Sequence, residues 1–272
     1  MTSPRTFREF ALSLLERGDV ASKLSPPPDD LVDEERGAPL RLDAPVRDPE
    51  LAIVAGRRAP VPPLSGWADP AQRARILHAW ANHELQAAEL FAWGLLAFPD
   101  ADPQFRRGLL RIAAEEQRHA VLYIERLEAL GAAFGDHPVS GHFWRDLDGL
   151  RTPLDFVCRM GLVLENANLD FARDQLRVSR EAGDVETAEA LEIVHADEVG
   201  HVAFAWTWFR RLKDPARDDW SVFVESIGGE HRAGRARGRE FDRAARFAAG
   251  LDADFVARLE AELPTAPGGR PR

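Results

Sequence analysis

Two short segments carry residue types that a packed helix ordinarily excludes from its buried side. Through "AAEEQRHAVLYIERLEAL", residues 113–130, and the turn before it, steps of three and four trace Leu109, Ile112, Glu116, His119, Tyr123, Leu127 and Leu130. A carboxylate and an imidazole therefore occupy positions where the helical period calls for apolar side chains. The segment around 198 repeats this, with Leu191, Val194, Glu198, His201, Ala205, Trp208 and Leu212 on one stripe. Two further stripes each carry one acid. One reads Leu77, Trp80, Glu84, Ala87, Phe91, Leu95 and Phe98; the other reads Leu154, Cys158, Gly161, Glu165, Asn168, Ala172 and Leu176. The glutamates pair at matching intervals, 84 with 116 and 165 with 198, as in a duplicated helix hairpin.

Isolated buried carboxylates cost several kcal/mol each, so four of them need compensating charge. Two divalent cations would neutralise four glutamates. A Glu-x-x-His places both side chains on one helix face, so each such pair can serve one ion, with Glu84 and Glu165 left to complete or bridge. Oxygen-rich ligation with one imidazole per ion favours iron or manganese over zinc. The expected ligands are Glu84, Glu116, His119, Glu165, Glu198 and His201, holding two Fe, with Mn/Fe or Mn/Mn as alternatives. A third Glu-x-x-His, Glu192 with His195, would break the matched spacing and reads as helix flank. His83 and Glu89 fall off the Glu84 stripe and read as flanking groups or as supports of the ligands, not as ligands. His78, His137, His142 and His231 read as surface or loop residues, and Tyr123 as a core tyrosine.

The elements that position these groups follow from punctuation and period. Residues 1–68 hold ten of the nineteen prolines and, after one amphipathic helix near 5–17, read as an extended arm. Long helices are expected over about 70–98, 103–130, 153–181 and 185–213, with a short helix around 141–149 in the long third connection. That short–long–short pattern predicts an all-α four-helix bundle with one long crossover over 69–214. A helical C-terminal extension follows over 215–272, its end frayed. The six arginines of 232–246 read as a solvated helix face.

Composition limits the remaining options. A net charge of −10 speaks against nucleic-acid coating. No apolar run is long enough for a membrane span, the N-terminus lacks the uninterrupted apolar block of a secretory signal, and the single Cys158 suits a reducing cytoplasm.

"NHELQAAELFAW", "EEQRHAVLYIERL", "LENANLDFA" and "HADEVGHVAFAW" resemble the ligand segments of bacterioferritin-type di-iron proteins in the ferritin-like superfamily. That resemblance covers about 75–210 and implies the same six ligands. It also places Glu115 and Asp197 where relatives carry a carboxylate that hydrogen-bonds a ligand histidine. Over nearly the whole chain, "FREFALSLLERGDVASKL", "RDPELAIV" and "HADEVGHVAFAWTWFRRL" look like an uncharacterised bacterial ferritin-like family of unknown function. The tRNA-modifying hydroxylases share the bundle more distantly.

The expected activity is O₂ or peroxide activation by an oxidase or oxygenase of hydroxylase type. It would act on an unknown small molecule, with electrons from a donor and no catalytic groups beyond the ligands. Alternatives are a ferroxidase or iron-handling protein, a peroxide-disproportionating manganese enzyme, and a non-catalytic scaffold with a structural metal pair. A homodimer is left open. The small residues Ala87, Gly161 and Ala205, with Phe91 and Cys158 beside them, mark the expected substrate pocket.

Overall fold

The computed structural model describes residues 3–54 and 59–265. Among them the structure is helical; its single β feature is an isolated bridge between Thr6 and Val32. In chain order the α-helices are α1 (Phe7–Glu16), α2 (Val20–Lys23), α3 (Pro70–Ala97), α4 (Pro103–Ala129), α5 (Pro153–Phe156), α6 (Asn166–Glu181), α7 (Val185–Leu212), α8 (Asp219–Ile227), α9 (Arg243–Ala248) and α10 (Ala253–Ala261). The chain divides into two compact units, Met1–Arg145 and Asp146–Arg272. No helix of the described residues is long and apolar enough to cross a membrane.

Helix starts follow local chemistry. Asp69 and Asp102 accept backbone N–H groups at the heads of α3 and α4, each with proline in the first turn. Thr152 and Asp155 form a reciprocal capping box at α5, and Asp184 caps α7. After α4, Gly131 takes φ +78°, the left-handed conformation that ends a helix at least cost to glycine.

In the first unit α3 and α4 pair as a hairpin, with α1 packed on α3. From Leu85 to Ala97 every residue of α3 is buried, as befits a helix apolar on nearly all sides. The proline-rich segment lies along this hairpin through specific bonds. Leu40 N–H donates to Leu96 O at 3.0 Å, and Trp93 Nε1 donates to Leu42 O at 3.0 Å. Gln117 Nε2 donates to Lys23 O at 2.7 Å, and Arg106 pairs with Asp33 at 2.9 Å. Glu89, expected to flank the site or to support its ligands, is fully buried between two cations of this segment. Its carboxylate meets Lys23 Nζ at 2.8 Å and Arg47 Nη2 at 2.7 Å, and Trp144 Nε1 at 3.2 Å.

His78 departs from the surface assignment. It is buried, and its Nε2 accepts the Gly135 N–H at 3.0 Å. Burial, reinforced by His137, pushes its pKa down to about 4. An unfolded imidazole gains its proton near pH 6.5, so this group favours folding fully above that pH and loses its contribution as pH falls toward 4. The unfolding free energy should therefore drop between pH 7 and 4.5, by no more than about 2 kcal/mol from this residue. His78→Gln, which keeps an acceptor for Gly135, should flatten that part of the profile in chemical denaturation at the two pH values. An unchanged slope would assign the acid loss elsewhere.

In the second unit α6 packs on α7, but the expected continuous helix 153–181 is interrupted. Val157–Glu165 runs as π-helix between α5 and α6. A π turn bonds i to i+5 and takes up more residues than an α turn, so it shifts the register ahead of Glu165. The Arg-rich segment also differs from a solvated face. It is a 3₁₀ stretch (Glu230–Ala236) followed by α9, and Arg246 is fully buried on Asp170, with Nη1–Oδ1 at 2.7 Å and Nη2–Oδ2 at 2.9 Å. Arg237 is buried as well. The side chain of His231 and residues 266–272 lie outside the described residues. An aromatic cluster of Trp206, Phe209, Phe223 and Phe255 joins α7, α8 and α10.

Candidate metal centre

Each unit holds a buried trio of two glutamates and one histidine. In the first, α3 supplies Glu84 and α4 supplies Glu116 and His119; their exposures are 6%, 0% and 0%. Each offers a ligand atom within 4.8 Å of the others. In the second, Glu165 ends the π segment and α7 supplies Glu198 and His201, all 1% exposed or less. Their ligand atoms also lie within 4.8 Å of one another.

The two Glu-x-x-His pairs share one geometry. His119 Nδ1 is 3.3 Å from Glu116 Oε2, and His201 Nδ1 is 3.5 Å from Glu198 Oε2. These separations are long for a charge-assisted hydrogen bond. They are close to the ~3 Å between neighbouring donor atoms that share one ion at about 2.1 Å. An oxygen-rich trio with one imidazole, sealed from water, therefore fits a first-row divalent ion.

Local sequence accounts for the convergence. Glu and His three apart emerge from one side of α4 and of α7, and Glu84 faces α4 across the hairpin. The trios differ in one respect. Asn168 donates through Nδ2 to Glu198 Oε1 at 3.1 Å and to Glu165 Oε2 at 3.4 Å, so an amide holds two carboxylates in the second unit. The corresponding residue three places after Glu84 is Ala87. Asn168 was visible on its stripe, but its amide role needed the structure.

Other expected site residues are placed as follows. Glu115 is partly exposed and accepts from Arg111 at 2.9 Å, while Asp197 is partly exposed on α7. Glu192 is exposed and pairs with Arg180; His195 lies 3.8 Å from Asp242. Ala87 and Phe91 are buried on α3. In the second unit Gly161 and Ala205 pack against each other. A Cβ added at Gly161 would lie 2.1 Å from the Ala205 Cβ, so the backbones approach closely there. Cys158 is buried and hydrogen-bonds Ser226, and burial pushes its thiol up to about 12. It is an inert apolar residue at neutral pH.

Sequence reasoning missed a second group near the first trio. Trp80 stacks on Trp67 at 5.1 Å and meets Tyr123 at 5.4 Å. Beside it, His78 faces His137 and His83 faces His142, at 5.3 and 5.2 Å between ring centres. The signal available was only the density of histidines in 78–83 and 137–142.

A Haemophilus influenzae protein described as uncharacterized is 30% identical over 165 residues, which cover 57% of this chain and 57% of that one. The chain thus spans little more than half the length of this curated relative. No solved structure matches. Residues 11–257 match the family described as "Protein of unknown function (DUF455)", a span that takes in both trios, and the chain belongs to that family.

Proposed function

We propose that the two trios belong to one dinuclear carboxylate centre in a ferritin-like four-helix bundle, and that the protein activates O₂ or peroxide to oxidise a small molecule. The observation that carries this reading is the repeated buried trio, with its Glu-x-x-His contact reproduced at 3.3 and 3.5 Å. Glu84, Glu116, His119, Glu165, Glu198 and His201 would hold two ions of iron or manganese. When bound, such a pair supplies redox chemistry toward O₂ or peroxide, at an electropositive centre that carboxylates stabilise in higher oxidation states.

The chain's own part is to fix these donors and keep them dry. Packed helices lock the glutamates against rotation and exclude bulk water. The Asn168 amide holds two carboxylates in place, and its loss should loosen the second trio. Asn168→Ala should weaken metal affinity by about 10- to 100-fold, the range for partners that orient ligands. Competition with a calibrated chelator measures this, and unchanged affinity would make Asn168 a packing residue only.

Function is tested by oxygen uptake. Iron-loaded protein supplied with a reductant should consume O₂ at a rate that falls to background in Glu116→Ala. Identical uptake by both proteins would remove the proposed activity. Iron content separates catalysis from storage, since a fixed site takes about two ions and a store takes many more.

A further inference from the structure

Four of the chain's eight histidines line one cavity of about 230 Å³ in the first unit, against α3 and the connection that follows α4. His78 and His137 form one edge-on pair, and His83 and His142 the other. Their nitrogens are partly committed to protein partners. His78 Nε2 accepts the Gly135 N–H at 3.0 Å, and His142 Nδ1 meets Ser140 Oγ at 2.9 Å. A neutral imidazole that accepts at one nitrogen carries its N–H on the other, so His78 brings a donor rather than a lone pair. Metal ligation would need those lone pairs.

The electrostatic character is one-sided. Arg75, permanently charged, reaches the cavity with one N–H anchored on Pro60 O at 3.0 Å. Among the described residues the lining contains no aspartate or glutamate. Asn82 is fixed as wall, accepting from Arg47 at 2.7 Å and donating to Ser140 O at 3.0 Å. Trp80, Val61, Pro138 and Val139 give an apolar surface, and Trp80 is itself backed by Trp67. Asp136 acts on His78 from outside the lining, but a cation would meet Arg75 with no acid in the cavity wall to offset it, and a wholly apolar guest would strand the guanidinium. The cavity lies below the roughly 300–1,000 Å³ of sites for drug-sized ligands, which sets the guest at about one ring.

We propose that this cavity binds a small organic acid, its carboxylate held by Arg75 and the neighbouring imidazole and hydroxyl donors, its apolar body laid on Trp80. Trp80 and Glu84 are four residues apart on α3 and share its face, one turn from each other. The acid held here is therefore the substrate of the proposed centre, an extension that rests on the metal reading; the binding itself does not.

The test is calorimetric titration of the full chain with benzoate and its neutral isostere benzamide, on chelator-treated and iron-loaded protein. One benzoate per chain should bind in both forms, with benzamide at least about tenfold weaker, the scale of one charge-assisted contact. Arg75→Gln should lower benzoate affinity by about tenfold while cooperative melting is kept, and Ala79→Phe, which fills the cavity, should abolish binding. The proposal is overturned by no saturable benzoate binding, by equal affinity for benzamide, or by parental affinity in both variants. Benzoate binding to a protein that takes up no metal would sink the metal reading and leave this one standing. Two bound metals without benzoate binding would do the reverse.

Discussion

Glu89→Ala is expected to destabilise the protein by about 3–5 kcal/mol, the cost of leaving buried cations without their counter-charge. The carboxylate is fully buried and holds Lys23 at 2.8 Å and Arg47 at 2.7 Å. Burial alone would push its carboxyl up, and Arg47 and Lys23 together reverse this and hold it below the usual value of 4.5. A depressed carboxyl contributes fully above its unfolded pKa and loses that contribution as pH falls from about 4.5 through the folded value. The variant should therefore lose stability at neutral pH and show a weaker acid transition. Lys23→Met should be far milder, since Glu89 keeps Arg47 and an ammonium whose pKa burial already lowers leaves the interior. Thermal melts decide it: the Glu89 variant should melt roughly 10 °C lower. Equal melting of the Glu89 variant and parent would show that the proline-rich segment is not energetically tied to α3.

Glu116→Ala and His119→Ala should each remove metal as well as activity, and the loss should extend beyond one ion if both trios serve one pair. The reason is electrostatic: each ion offsets carboxylates that also repel its neighbour's ligands, so removing one donor weakens the whole set. Parent protein should melt higher loaded than chelated, by the linkage of binding to folding. Glu192→Ala and His195→Ala should keep full metal content, because these side chains face Arg180 and Asp242. Metal loss in those two would reassign the Glu-x-x-His of α7.

The grouping of each trio was legible because α3, α4 and α7 keep an uninterrupted α period, in which spacing translates directly into facing. The same arithmetic failed ahead of Glu165. Apolar residues on several sides of 157–165 suit a π or an α register alike, and the close Gly161–Ala205 approach is a property of two helices, not of one. The charged groups most misjudged have partners far along the chain. Glu89 finds Lys23 and Arg47 at separations of 66 and 42 residues, Arg246 finds Asp170 at 76, and His78 finds Gly135 at 57. Periodicity could mark Glu89 as off its stripe, but only the covering segment explains why a charge is buried there. An arginine-rich run likewise reads as solvated until one member proves to be the counter-ion of a buried acid.

The account rests on two metal ions held by six named donors, and elemental analysis of the protein purified from iron-replete medium tests that most directly. It should find about two first-row ions per folded chain, by the count of one carboxylate–imidazole pair for each ion, and clearly fewer in Glu116→Ala. A fully folded parent protein that carries none, and takes up none from added Fe(II) or Mn(II), would contradict it.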